Sequence, residues 1–106
     1  MRDGIYRVDF QKGKDAGKGI ARVRNGDFTG IDQTHTYIGR IKRKGEQLSG
    51  SVEKSNHPGM HSGATSQHAT LNLNGKQNET GEFELYLESE GSGGRVKFTG
   101  EWVADL

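Results

Sequence analysis

Cysteine is absent from the 106 residues, which excludes disulfides, thiolate nucleophiles and thiolate-ligated metals together. No apolar run approaches the roughly 18 residues that a membrane-spanning helix requires. None matches the shorter apolar stretch of a secretory signal either, so the expected location is the cytoplasm, with no membrane partner. An excess of charge is missing too. Fifteen basic residues stand against 14 acidic ones, for a formal charge of +1. Bulk electrostatics therefore gives no drive toward nucleic acid. Proline occurs once, at Pro58, against 17 glycines. That imbalance suits a chain of tight turns and strongly bent strands, because glycine accepts positive φ and close backbone approach.

Apolar residues are few, at 29% with a mean hydropathy of -0.88, a composition that borders on disorder when such residues are scattered. Here they alternate. Gly4-Ile5-Tyr6-Arg7-Val8-Asp9-Phe10, Gly19-Ile20-Ala21-Arg22-Val23 and Phe28-Thr29-Gly30-Ile31 each switch between apolar and polar and break at Gly, Asn or Asp. This is the pattern of short, half-buried strands joined by tight turns. The alternation predicts eight strands, near 4–10, 18–24, 27–32, 36–43, 47–54, 68–74, 81–88 and 94–103. The polar, glycine-rich stretch from Ser55 to Gln67 reads as a loop.

In the last two strands, Phe83, Leu85 and Leu87 alternate with Glu84, Tyr86 and Glu88, while Val96, Phe98 and Trp102 alternate with Arg95, Lys97 and Glu101. Pairing across the Glu90–Gly94 turn sets Glu88 opposite Arg95 and Tyr86 opposite Lys97 on the solvent face. Extended to every strand, the same parity gives an inward set. It comprises Tyr6, Val8, Phe10, Ala21, Val23, Phe28, Tyr37, Ile41, Leu48, Val52, Leu71, Leu73, Phe83, Leu85, Leu87, Val96, Phe98 and Trp102. Gly19, Gly30, Gly39, Gly50 and Gly100 fall in phase with it, and small inward residues let a sheet coil tightly. The expected fold is all-β, a single domain over residues 1–106 forming an antiparallel up-and-down barrel of eight strands. Closure would also remove the exposed strand edges.

Few residues suggest chemistry. His57 and His61 have the four-residue spacing of metal ligands on a helix, with His68 nearby, but Pro58-Gly59 interrupts any such helix. A polar loop with solvent-facing histidines is the preferred reading, and no metal or other cofactor is expected. Arg40, Lys42, Arg43 and Lys44 read as a solvated strand end, since no outward aromatic residues accompany them. Glu79, Glu82, Glu84, Glu88 and Glu90 alternate with core positions and have Arg95 and Lys97 nearby, so cross-strand pairing explains them. No catalytic triad order, phosphate loop or dinucleotide fingerprint is present, and the chain is not expected to be an enzyme.

Two binding surfaces emerge. Ile5, Ile20, Ile31 and Ile38 lie out of phase with the core, and together they would form an exterior patch suited to a homodimer. The barrel interior is the alternative, as a site for a small apolar ligand lined by Tyr6, Phe28, Tyr37, Phe98 and Trp102.

The opening Asp3-Gly4-Ile5-Tyr6, with Gly17-x-Gly19, Asn25-Gly26, Gly30-x-Asp32, Tyr37-x-Gly39 and the late Gly100-x-Trp102, resembles the GrlR-like family, named for a negative regulator of a type III secretion locus. The resemblance implies a calycin-like, lipocalin-type barrel of eight strands, cytoplasmic and dimeric, that regulates by binding a protein, a transcriptional activator in the best-known member. In that member an acidic Glu-Asp-Glu-Asp stretch follows the strand begun by Tyr-x-Gly. Here the matching segment, Arg43-Lys44-Gly45-Glu46-Gln47, is basic, and no site residue is carried over from it.

Overall fold

The computed structural model describes residues 1–57, 68–89 and 95–106. Eight strands follow in order: β1 (Gly4–Lys12), β2 (Asp15–Arg24), β3 (Asp27–Ile31), β4 (His35–Lys44), β5 (Gln47–Asn56), β6 (His68–Gln77), β7 (Phe83–Ser89) and β8 (Arg95–Ala104). Each pairs antiparallel with the next, and β8 returns to β1, so the sheet is a closed up-and-down barrel. The closing seam runs from Ile5 opposite Ala104 to Gln11 opposite Lys97. Its register shifts between Ile5 and Tyr6, which leaves Val103 as the extra residue of a bulge on β8.

The turns follow from their residues. Asn25 (φ 51°) and Gly26 (φ 85°) join β2 to β3 with two consecutive positive φ angles, the conformation that an Asn-Gly hairpin turn requires. At the β4–β5 connection Gly45 supplies a φ of 63°, and its carbonyl accepts a hydrogen bond from Arg43 Nε at 2.7 Å.

Parity along each strand decides burial. All 18 residues of the inward set either belong to the core or pack against it, with only Phe10 and Trp102 partly buried. Met1 joins them. Each large apolar side chain withdrawn from water contributes roughly 1.5–3 kcal/mol, so this ordered minority of apolar residues suffices for a folded chain. The β7–β8 register places Glu88 opposite Arg95 and Tyr86 opposite Lys97, as the alternation predicts. The strands run past their expected ends in several places: β2 begins at Asp15, β5 reaches Asn56 and β6 reaches Gln77. Polar residues occupy those extensions, so hydropathy gave no signal there, although backbone pairing continues.

The two ends of the barrel differ. At one end, Arg2 N donates to Gln77 Oε1 at 2.9 Å, and Gln77 Nε2 donates to Tyr6 Oη at 2.9 Å and to the Gly81 carbonyl at 3.3 Å. The Tyr6 hydroxyl donates to the Arg2 carbonyl. Trp102 Nε1 donates to the Asp3 carbonyl at 3.2 Å, with the Arg2 guanidinium 4.0 Å over its ring. Residues 1–3 thereby seal this end. The other end is reached by the β1–β2 and β3–β4 turns, and also by the connections 58–67 and 90–94, which lie outside the described residues.

Candidate functional site

Among the described residues, the end opposite the N-terminal plug holds a cavity of about 610 Å³, within the range of small-molecule sites. Its lining comes from the same parity that builds the core, continued past the last apolar residue. After Phe28 and Gly30 the next inward position is Asp32; after Leu48, Gly50 and Val52 it is Lys54. Both line the cavity, together with Phe10, Tyr37 and Val96 on its apolar side and Lys12 and His35 at its rim.

Asp32 organises the rim. Its Oδ1 accepts from Thr34 N at 2.7 Å, from Thr34 Oγ1 at 3.2 Å and from His35 N at 2.7 Å. An aspartate that satisfies the amides two and three residues on is a common way to hold a turn. The β3–β4 turn is tied further when His57 N donates to the Thr34 carbonyl at 2.9 Å, while His57 Nε2 and Thr36 Oγ1 share a hydrogen bond at 2.8 Å. Asp32 is only 8% exposed, its second oxygen, Oδ2, is shut off from solvent, and the Tyr37 hydroxyl is a hydrogen-bonding neighbour of the carboxylate. Burial pushes the Tyr37 hydroxyl far above its ordinary range, and the Asp32 carboxylate adds to the effect. Lys54 is half-buried and its ammonium is held below the usual lysine range, first by burial and then by Lys12, with Asp32 opposing. Asp32 and Lys54 thus feel each other's charge, yet no ion pair joins them.

Comparison with known protein families and with curated proteins gave no match to either.

The interior below the mouth is filled. Tyr6, Phe28 and Phe98 are buried core residues, with Tyr6 edge-on to Phe83 at 5.5 Å and Tyr37 edge-on to Phe98 at 5.0 Å. Between Val8, Phe28, Tyr37 and Phe98 only a slit of about 10 Å³ remains. Trp102 belongs to the sealed end. Of the five residues expected to line a ligand site, only Tyr37 borders the 610 Å³ cavity. Asp32 and Lys54 were missed because charged residues were read as outward-facing, although strand parity alone places both inside.

On the outer wall, Ile20, Ile31 and Ile38 are 59%, 52% and 58% exposed. Ile20 stands directly opposite Ile31 across β2–β3. Ile31 pairs with Thr36 on β4, which puts Ile38 on its diagonal. Ile5 is half-buried and pairs with Arg22, diagonal to Ile20. The four isoleucines therefore form one continuous stripe across β1 to β4. Arg7 and Arg22 flank it on the β1–β2 side, and Glu53, opposite Ile38, flanks it on β5.

Of the histidine set, His61 lies outside the described residues. His68 contributes its backbone to β6. The Glu90–Gly94 turn also lies outside them.

Proposed function

We propose that this chain is a non-enzymatic regulatory protein, cytoplasmic and homodimeric, that acts by binding another protein. The carrying observation is the stripe of Ile20, Ile31 and Ile38, three large aliphatic side chains exposed side by side on the flat outer wall of a closed barrel. Contiguous apolar surface of this kind marks interfaces, whereas single exposed apolar residues are ordinary. The occupant that fits is a second copy. A two-fold axis along β3 sets Arg22, on the β1–β2 flank of one protomer, against the partner's Glu53. Such self-complementarity is what an isologous contact requires. The regulatory half of the reading is supported by the resemblance of the strand and turn motifs to GrlR-like proteins. The basic Arg43–Gln47 segment suits a protein partner with an acidic face.

Sedimentation velocity at micromolar concentration tests the dimer. The wild-type chain should sediment as a dimer, and Ile31→Glu as a folded monomer with unchanged circular dichroism. A monomeric wild type overturns the assembly. For regulation, deleting the gene should change transcript levels at a defined locus, and an unchanged transcriptome overturns that part.

A further inference from the structure

On the reading that the chain acts by binding another protein, we infer that the outer face of β4 and β5, toward the plugged end, docks an acidic segment of that protein in extended conformation. Its alternate carboxylates lie along the β4 column of Arg40, Lys42 and Lys44. These three are successive outward residues of β4, and all are exposed. Across the β4–β5 ladder they stand directly opposite Ser51, Ser49 and Gln47. The two serines in turn face Asn72 and Asn74 on β6. A column of cations therefore borders a floor of neutral hydroxyls and amides, with Glu46 at the hairpin tip beyond the end of the column.

Elsewhere on the outer wall, outward cations are matched by carboxylates: Arg7 pairs with Glu101, Lys18 with Asp9, Arg95 with Glu88 and Lys97 with Glu84. On β4 the matching stops at Arg40, which pairs with Asp27 at 3.0 Å. Asp27 has Arg24 opposite it on its other side, so one carboxylate serves two arginines. Lys42 and Lys44 lie past the last β3–β4 pair and join no ion pair among the described residues. They also lie past the end of β3, along which the proposed two-fold axis runs. The formal charge of +1 thus hides a face of one sign, which selects a partner of the other. Alternate residues of a strand lie about 6.6–6.8 Å apart, and so do those of an extended partner. Carboxylates at every second position of the partner therefore meet the β4 cations in register. The serines, asparagines and Gln47 can hydrogen-bond its backbone. A nucleic-acid strand fits less well, because its bases need a stacking platform. Tyr86, the outward aromatic of β7, already has the Arg95 guanidinium 3.9 Å over its ring.

A short peptide with glutamate at every second position, titrated into isotopically labelled protein, should give saturable amide shifts at Lys42, Lys44, Ser49 and Ser51. Its affinity should fall steeply as salt rises. The same peptide with glutamine for every glutamate should give no shifts. Lys42→Gln combined with Lys44→Gln removes two exposed charges and should weaken binding about fivefold. Grouping the same glutamates in one block should weaken it about threefold, because only the alternating order keeps register. Ile31→Glu should bind at least as tightly as the wild type, since Ile31 stands at the opposite end of β3 from Asp27; loss of the dimer therefore leaves the test intact. Absence of shifts, shifts mapping to another face, equal binding of the glutamine peptide, or tighter binding of oligothymidylate would each overturn the proposal, the last in favour of a nucleic acid. Equal affinity for the block peptide would overturn the extended register. Peptide binding together with an unchanged transcriptome would keep this surface and reject the regulatory reading, whereas a changed transcriptome without peptide binding would reject this surface alone.

Discussion

Gln77 donates its side-chain amide to the hydroxyl of Tyr6 at 2.9 Å, joining two residues 71 apart in sequence inside the sealed end of the barrel. The same glutamine accepts from Arg2 N and donates to the Gly81 carbonyl, so a single buried polar residue ties β6, β1, the preceding N-terminal residues and the β6–β7 turn. Burial pushes the Tyr6 hydroxyl above its usual range, against the smaller opposing effect of Gln77. Gln77→Leu keeps the bulk but removes the acceptor of the part-buried Arg2 amide and the donor to Tyr6 Oη, while the Gly81 carbonyl keeps its bond from Trp102 N. It should lower stability by about 2–4 kcal/mol, and Tyr6→Phe by about 1–2 kcal/mol. Urea denaturation of both single variants and the double variant should show strong non-additivity, because they share one network.

Gly39 and Gly45 should respond differently to the same methyl group. A Cβ on Gly39 would run into the Ser51 carbonyl and the Val52 backbone of the neighbouring strand, so the two strands would have to move apart. At Gly45 a Cβ meets nothing within 4 Å, and only its φ of 63° opposes a side chain. Gly39→Ala should therefore cost about 2–3 kcal/mol, as overpacking does, and Gly45→Ala about 1 kcal/mol from the left-handed backbone alone. Thermal and urea denaturation of the two variants would rank them, and equal losses would refute the claim that Gly39 sets the strand approach.

The contrast between these glycines shows what a sequence carries and what it does not. The alternation of Phe83, Leu85 and Leu87 with charged and polar neighbours reveals the strand, its inner face and the pairing of Tyr86 with Lys97, because a strand has only two faces and one is wet. The closed eight-stranded barrel follows from eight such strands with inward glycines. The candidate site was less legible. Asp32 and Lys54 sit at inward parity, but hydropathy assigns charged residues to solvent, and the exception arises where the inward row runs past the packed core toward the strand ends. The cavity lies opposite the end that Gln77 and residues Met1, Arg2 and Asp3 plug. That is a long-range arrangement with no local signature. The isoleucines were visible as out-of-phase residues, and their contiguity needed the register between strands.

Lys54 should be a liability to the fold at neutral pH. Its folded-state pKa lies below the unfolded value, through burial and the nearby Lys12. Protonation therefore favours the unfolded chain, and the penalty is fully present below the folded pKa. It fades as pH rises through the folded pKa toward the ordinary lysine value of 10.5. Lys54→Met, which retains the aliphatic stem, should thus stabilise the protein at pH 7, with a gain that shrinks as the solution is made alkaline. Urea midpoints of both proteins at pH 7 and at a pH near the ordinary lysine value would show it.

Charge reversal on the outer wall separates a specific dimer from unspecific association of isoleucines. In the two-fold arrangement along β3, Arg22 of one protomer lies on the side that meets the partner's Glu53. Glu53→Arg puts like charge on both flanks and should weaken dimerisation about tenfold, more at low salt than at high salt. Arg22→Glu should do the same. The double variant, Arg22→Glu with Glu53→Arg, restores opposite charges and should recover most of the affinity, because the two sites exchange roles across the axis. Sedimentation equilibrium at two ionic strengths measures all four proteins. Failure of the double variant to recover, with Ile31→Glu still monomeric, would keep the apolar contact and reject this orientation of the two barrels.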